Sequence, residues 1–201
     1  MGVYTLAITG ASGSIYGVRL LQYLLNLGHK VYLIITKEGA FILKEEVGYD
    51  WQGPEDMVER KIKRELRPKK AHLSYFGEEN LSAPISSGSV KIDAMVIMPC
   101  SMKTISGIVH GYANNLVERA ADVMIKEGRT LVVVPRETPL NTIHLRNMLS
   151  LSETGVKIIP AMPAFYSHPK HIEDIVNFVV GKVLDYLQIE NDLFRRWKEG
   201  E

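Results

Sequence analysis

The chain has 201 residues, enough for one α/β domain with a complete hydrophobic core. It is 46% hydrophobic and 23% charged with a formal net charge of +1, which is typical of a globular protein and provides no overall field for nucleic acid or an anionic membrane. A single cysteine, Cys100, excludes an intrachain disulfide and favours a reducing compartment. No apolar run approaches the roughly 18 residues of a membrane span, and no basic segment precedes the first apolar run, so we expect a cytoplasmic protein.

The first motif is a glycine-rich turn, TGASGSIYG at residues 9–17. A β-type apolar run at 3–8 precedes it, and apolar residues at helical spacing follow from Val18. Glycines allow close approach of the backbone to a ligand, and the start of a helix presents N–H groups with partial positive charge. The order strand, glycine turn, helix therefore predicts a phosphate site; a tight turn without a ligand is the alternative.

The glycine spacing favours a mononucleotide over a dinucleotide. The glycines stand at 10, 13 and 17, whereas the dinucleotide fingerprint is G-x-G-x-x-G with an acid about 20 residues later. The second predicted strand, 30–36, ends in Thr36-Lys37 and has no acid at its tip. Hydroxyl groups of Ser12 and Thr36 are candidate donors to a phosphate.

The next hundred residues carry fewer signals. A short helix is predicted at 38–47, and 49–71 is polar, with acids interleaved among its bases and no aromatic platform, which favours a solvated helix over a nucleic-acid surface. Residues 77–90 have loop composition, and their small residues are compatible with a plain loop or with a ligand that lies close to the backbone.

Three further apolar strands, at 94–98, 130–134 and 156–159, each run into a proline. Because proline cannot donate to a strand ladder, we expect it to end each strand. Helices are predicted at about 101–110, 114–127, 139–152 and 170–188. The alternation predicts a single-domain, three-layer Rossmann-like α/β fold with a doubly wound, mainly parallel sheet, and its ligand site at the carboxyl ends of the strands.

Several charged residues are candidates for this site. Arg119 and Lys126 share one face of a predicted helix, either as an anion site or as two surface cations. Lys182 lies at the margin of the apolar stripe of the last helix, with Tyr166 just before that helix. Glu137 follows a strand and is a candidate general acid or base, although a structural ion pair is the commoner role.

No metal site is predicted, since the six histidines form no H-E-x-x-H motif and there are no cysteine pairs. A P-loop is likewise excluded because G-x-x-x-x-G-K-[ST] does not occur.

Taken together and in order, TGASGSIYG, PCSMKT, NNLVERAADVMIKEGR, PRETP, PAFY and Trp197 resemble the UbiX-type flavin prenyltransferases over nearly the whole chain. These share a flavoprotein fold with cysteine decarboxylases. The resemblance implies a Rossmann-like enzyme that binds reduced FMN and transfers a dimethylallyl group from dimethylallyl monophosphate to N5 and C6 of the flavin, with no metal. The product, prenylated FMN, would be passed to a UbiD-type decarboxylase.

The resemblance also implies roles for individual residues. The residues that would bind FMN are Gly10, Ala11, Ser12, Thr36, Ser101, Met102, Lys103, Thr104 and Arg136. Those that would bind the prenyl phosphate are Arg119, Lys126, Tyr166 and Lys182. Those that would be catalytic are Glu137, Glu46, Ser12 and Lys126. Two positions depart from some members of the family: Lys182 replaces an arginine, which alters phosphate geometry, and Leu81 replaces a tryptophan near the prenyl group.

The family assembles as homododecamers with sites at subunit interfaces, and the resemblance implies the same here. We expect a catalytic domain over 1–188 and a C-terminal tail or helix over 189–201 that packs on a neighbouring subunit. Two alternatives remain: an FMN-binding carrier or subunit of a decarboxylase, and an FMN-dependent cysteine-type decarboxylase. The glycine spacing weakens a third, an NADPH reductase.

Overall fold

The computed structural model describes residues 1–70 and 72–197. Within them, the strands are β1 (Val3–Ile8), β2 (Lys30–Ile35), β3 (Leu73–Gly77), β4 (Ala94–Cys100), β5 (Thr130–Pro135) and β6 (Lys157–Ile158). The α-helices are α1 (Ser14–Asn26), α2 (Lys37–Val47), α3 (Glu55–Leu66), α4 (Met102–Val109), α5 (Leu116–Lys126), α6 (Thr142–Glu153) and α7 (Ile172–Tyr186). The described strands pair in parallel in the order β3-β2-β1-β4-β5-β6.

The sheet separates two hydrophobic clusters because neighbouring strand residues point to opposite faces. Leu6 and Ile8 of β1 join the cluster that packs under α1, α2, α3 and α7. Ala7, which lies between them, joins the cluster under α4, α5 and α6. The predicted three-layer, doubly wound α/β fold is thereby confirmed, and β1 and β4 flank the point at which the strand order reverses.

Strand β3 was not expected from the sequence. It is a five-residue edge strand in which buried Leu73 and Tyr75 alternate with less buried residues, too short to stand out from the polar segment before it. Helix α3 covers it, and its carboxylates accept hydrogen bonds from β3 amides: Glu59 Oε2 from Tyr75 N at 3.3 Å, and Glu55 Oε1 from Gly77 N at 2.8 Å. The helix expected in the polar segment is thus present.

The expectation that each proline ends its strand was wrong for β4. This strand continues through Pro99 to Cys100, with an irregular register between Ile97 and Cys100. Pro99 lacks an N–H, but its carbonyl still accepts a hydrogen bond from Thr9 N at 3.2 Å. Pro135 is itself the last residue of β5.

None of the helices in the described ranges has both the length and the hydropathy needed to cross a membrane.

Helix α1 lies very close to the sheet at Gly17. A Cβ at this position would lie 2.2 Å from Met98 O and 2.8 Å from Ile8 Cγ1. Both atoms belong to the core of the sheet and have little room to move. Glycine at 17 is therefore required for α1 to seat over β1 and β4.

We expect Gly17→Ala to lower the free energy of unfolding by about 2–4 kcal/mol, because backbone and core atoms must shift to admit the methyl group. Urea unfolding followed by circular dichroism measures the change. Gly77→Ala is the control, since its Cβ would meet only Glu55 Oε1, at 3.6 Å. Equal losses in the two variants would contradict the close-packing explanation.

Candidate functional site

The carboxyl ends of β1 and β4 are joined by one buried side chain, Thr9. Its Oγ1 donates to Pro99 O at 2.9 Å and accepts from Ser101 N at 2.8 Å. Thr9 has no solvent exposure. These hydrogen bonds hold the turn after β1 beside the start of α4, which follows β4.

The glycine turn bends sharply into α1. Gly13 caps the helix with φ 102°, a left-handed conformation that favours glycine. The turn also lies against the first turn of α2, since a Cβ on Gly10 would be 2.6 Å from Glu38 Cβ. Close packing against α2 explains the glycine at 10, and the left-handed backbone conformation explains the glycine at 13.

A carboxylate already occupies the first amides of α1. Glu46, near the end of α2, accepts from Gly13 N at 2.9 Å and from Ser14 N at 2.9 Å. Burial raises the pKa of Glu46, but hydrogen bonds from the Ser12 hydroxyl and from these two amides outweigh it, so the pKa lies below its ordinary value of 4.5. Because Glu46 takes the Gly13 and Ser14 amides, a phosphate at this turn would bind the Gly10–Ser12 portion.

Two more helices begin at the same edge of the sheet, each capped by a hydroxyl. Thr36 Oγ1 accepts from Gly39 N at 3.0 Å at the start of α2. Ser101 Oγ accepts from Thr104 N at 3.3 Å at the start of α4 and lies 3.0 Å from Thr104 Oγ1. Such starts attract anions. The side chains of Met102 and Thr104 are buried and that of Lys103 is exposed, so a ligand would meet the backbone of the first two and the ammonium of the third.

Arg136 and Glu137 follow β5 and are exposed. Glu137 Oε1 accepts from Thr138 N at 3.0 Å. The Arg136 charge is close enough to α1 to act on Tyr16, whose pKa is raised by burial and partly lowered again by this cation. The structure thus places Arg136 at the edge that holds the glycine turn.

Of the two cations of α5, Lys126 lies away from this edge. Helix α5 begins where Leu116 N donates to Glu78 O, just beyond the carboxyl end of β3, and spans about 16 Å. It ends at Lys126, immediately before β5 begins, and hence near the amino edge of the sheet. Arg119 donates to Ser86 O at 3.2 Å and pairs with Asp122, while Lys126 pairs with Glu127 at 3.3 Å. Within one chain the structure does not bring Lys126 to the glycine turn.

The remaining two candidates are Tyr166, in the segment before α7, and Lys182, on α7. The Tyr166 ring meets Phe178 edge-on at 5.8 Å and Trp197 at 5.3 Å. Lys182 Nζ lies 3.9 Å from Asp185 Oδ2. Leu81, one of the two departures, is in a turn after β3 and is half exposed.

Sequence reasoning did not single out Asp185 or Arg196, which surround Lys182. The i,i+3 spacing of Lys182 and Asp185 was a usable signal for the first. No local pattern reveals the second, because Arg196 reaches Asp185 only when the segment after α7 folds back on that helix. Among the described residues, no group of three or more His, Cys, Asp or Glu side chains is arranged to hold a metal ion.

Comparison with known proteins agrees with this architecture. The Flavoprotein family model matches residues 3–184. The fold and the helix starts at its switch point thus define a flavoprotein of Rossmann type.

The chain is 49% identical over 198 residues to the flavin prenyltransferase UbiX of Halalkalibacterium halodurans, covering 98% of this chain and 94% of that relative. Among solved structures, AnUbiX (PadA1) in complex with FMN and dimethylallyl pyrophosphate is 37% identical with a TM-score of 0.87, covering 100% and 99% of the two chains. The dodecameric FMN-dependent UbiX-like decarboxylase of Escherichia coli O157:H7 is 43% identical with a TM-score of 0.86, covering 98% and 100%. The chain belongs to the UbiX family of flavin prenyltransferases.

The cysteine decarboxylases share only the fold. The FMN-dependent cysteine decarboxylase TvaF is 13% identical with a TM-score of 0.57, covering 79% of this chain and 89% of that one.

We expect Glu46→Gln to destabilise the protein at neutral pH, where the ionised carboxylate binds the α1 amides. Because the folded pKa is depressed, this stabilisation is present above the unfolded value near 4.5 and is lost as pH falls through the folded pKa. Urea unfolding of wild type and variant from pH 7 to pH 3 should therefore show a gap that closes below about pH 4.5.

Glu45→Gln is the matched control, since it removes the adjacent charge on α2 and leaves the Gly13 and Ser14 contacts in place. A Glu46→Gln deficit that is independent of pH would show that the carboxylate charge is not what stabilises this turn.

Proposed function

We propose that this protein is a flavin prenyltransferase that transfers the dimethylallyl group of dimethylallyl monophosphate to N5 and C6 of reduced FMN. The observation that carries the proposal is 49% identity over 98% of the chain with a flavin prenyltransferase. A relative of matching fold binds FMN and dimethylallyl pyrophosphate together, which supports the same pair of substrate classes here.

The residues at the carboxyl edge fit FMN. Glycine backbone at 10, the Ser12 and Thr36 hydroxyls and the start of α4 at 101–104 suit a phosphate monoester, and Arg136 adds a cation at the same edge. Bound there, reduced FMN would supply an electron-rich acceptor for an allyl cation.

Positive charge is the second requirement, because breaking the donor C–O bond leaves its electrons on phosphate. We assign Arg119, Lys126 and Lys182, with the Tyr166 hydroxyl, to stabilise that developing charge. Cations placed in advance supply the positive charge that a metal would otherwise provide, so we propose that the reaction is metal-independent.

The positions of these cations favour a site shared between chains. Lys126 lies near the amino edge of the sheet and the glycine turn lies at the carboxyl edge, so the two meet only if different copies contribute them. We propose a homododecamer with sites at subunit interfaces. The dodecameric relative from Escherichia coli, which is 43% identical to this chain, supports this assembly.

Two carboxylates, Glu46 and Glu137, are the candidates for stabilising charge and for transferring a proton. Glu46 is held ionised because hydrogen bonds from Ser12, Gly13 and Ser14 lower its pKa, which suits it to stabilise developing positive charge. Glu137 is exposed at the end of β5 and would exchange a proton with the departing phosphate or with C6 of the flavin.

The chemistry of the product indicates which class of enzyme would receive it. Prenylated FMN is useful only to an enzyme that binds it as a cofactor, and we propose a UbiD-type decarboxylase in the cytoplasm. The carrier alternative differs in one measurable respect, since a carrier binds FMN and leaves it unchanged.

We expect anaerobic incubation with reduced FMN and dimethylallyl monophosphate to add one C5 unit to the flavin and release phosphate. Mass analysis of the extracted flavin measures the first and a phosphate assay the second. Lys126→Ala and Glu137→Gln should each reduce the rate by at least about a hundredfold while FMN still binds. Unmodified FMN with either the monophosphate or the diphosphate would favour the carrier or the cysteine-type decarboxylase.

We expect co-assembly of the Lys126→Ala and Glu137→Gln chains to restore activity if each site takes these two residues from different copies. Random mixing in equal amounts makes about a quarter of the sites complete. The control is each variant dissociated and reassembled alone. If the mixed oligomers show no more activity than this control, one chain contributes both residues to each site.

A further inference from the structure

The segment after α7, residues 189–197, folds back along that helix, and we call it the C-terminal strap. Phe194 of the strap packs on α7: its ring is 5.0 Å from the Phe178 ring, and a Cβ at Gly181 would lie 2.5 Å from Phe194 Cδ1. The strap is therefore seated in a groove that only glycine at 181 leaves open. No helix is present in 189–197, residues 198–201 lie outside the described residues, and the expected contact with a neighbouring subunit stays a prediction.

Asp185 of α7 is the polar anchor of the strap. Its Oδ2 accepts from Arg196 Nη1 at 3.0 Å, and its Oδ1 accepts from Arg196 Nη2 at 2.9 Å and from Asn191 Nδ2 at 2.9 Å. Lys182 Nζ lies 3.9 Å from the same Oδ2. The Asp185 side chain is only 23% exposed, so one carboxylate holds two cations that come from different segments.

The Arg196 hydrogen bond, followed by that of Asn191 and by the charge of Lys182, lowers the pKa of Asp185 despite the opposing effect of burial. Its carboxylate is therefore ionised throughout the neutral range. Together the three charged side chains carry one net positive charge beside the Phe194 ring, which lies 6.0 Å from Lys182 Nζ and 5.3 Å from Arg196 Cζ.

The anchor reaches Tyr166 through the next residue of the chain. Trp197 follows Arg196 directly and meets the Tyr166 ring edge-on at 5.3 Å. Fixing Arg196 thus fixes the tryptophan that covers one side of Tyr166. Lys182 of α7 and Tyr166 of the segment before it, both assigned above to the donor phosphate, are held by contacts that lead to Asp185.

We propose that Asp185 is a positioning residue for donor binding: it holds the Lys182 ammonium and, through Arg196 and Trp197, the Tyr166 ring in place to receive the phosphate of the prenyl donor. The inference rests on the proposed function of Lys182 and Tyr166. Lysine is a flexible point charge, so an ammonium that is already held loses less freedom when an anion binds. The strap is thereby part of the donor site.

The test is Asp185→Asn, which preserves size and removes the charge. We expect the KM for dimethylallyl monophosphate to rise about five- to tenfold, with kcat at saturation and the Kd for FMN each changed less than about twofold. The anisotropy of Trp197 fluorescence should also fall as the strap loosens, because the indole, already 67% exposed, is held by its contact with the Tyr166 ring. Trp51, the other tryptophan, is fully buried. The variant Trp197→Phe measures the fluorescence of Trp51 alone, which is then subtracted.

Two further variants separate positioning from general stability. Arg196→Gln should raise the same KM, and the double variant should lose little beyond Asp185→Asn alone, because Arg196 acts on the donor site through its contact with Asp185. Asp192→Asn removes an exposed charge from the same strap and should leave KM and the Trp197 anisotropy unchanged.

An Asp185→Asn protein with unchanged KM would overturn the inference, whatever its Trp197 anisotropy or melting temperature. If the wild-type protein transfers no prenyl group, the proposed function fails separately. Equilibrium binding of dimethylallyl monophosphate to the FMN-loaded protein then decides the role of Asp185, and equal affinity in wild type and variant would reject it.

Discussion

The hydrogen bonds of the Thr9 hydroxyl determine the geometry of the carboxyl edge. In one buried position this hydroxyl donates to the carbonyl of Pro99 and accepts from the amide of Ser101, and both are backbone groups next to the strand irregularity. Without this hydroxyl the Ser101 amide would lose its partner, at a cost of about 1–3 kcal/mol. The Pro99 carbonyl would keep its bond from Thr9 N. The two hydroxyl bonds thus hold the glycine turn beside the start of α4.

Much of the fold followed from sequence because its signals are local. Buried strands such as β1 and the helices behind them show the apolar runs and periodicity that mark each element. Strand β3 was missed because it is short and lies at the edge of the sheet. Strand β4 continues past Pro99 because Cys100 still pairs with Pro135 of β5, and the Pro99 carbonyl accepts a hydrogen bond from Thr9, ninety positions earlier. Contacts at that sequence separation leave no local pattern.

The candidate site also has parts that the sequence predicted and parts that it did not. The order of motifs along the chain identified the glycine turn, the start of α4 and the cations, since each is a contiguous segment. Sequence did not reveal that Glu46 occupies the first amides of α1, or that Asp185 gathers Lys182 and Arg196. These are contacts between side chains of separate elements, which form only in the folded structure. Family resemblance named Glu46 as a catalytic acid but gave no partner for it.

The edges of the sheet constrain how copies of this chain associate. On one side, the Tyr75 and Gly77 amides of β3 donate to Glu59 and Glu55 of α3. On the other side, β6 consists of the two residues Lys157–Ile158. Neither border therefore offers an extended row of backbone donors and acceptors onto which another chain could add a strand. Growth by continuous sheet extension into fibres is blocked, and subunits must recognise one another through side chains on helices and loops. Such surfaces fit in a limited number of ways, which favours closed assemblies of defined size.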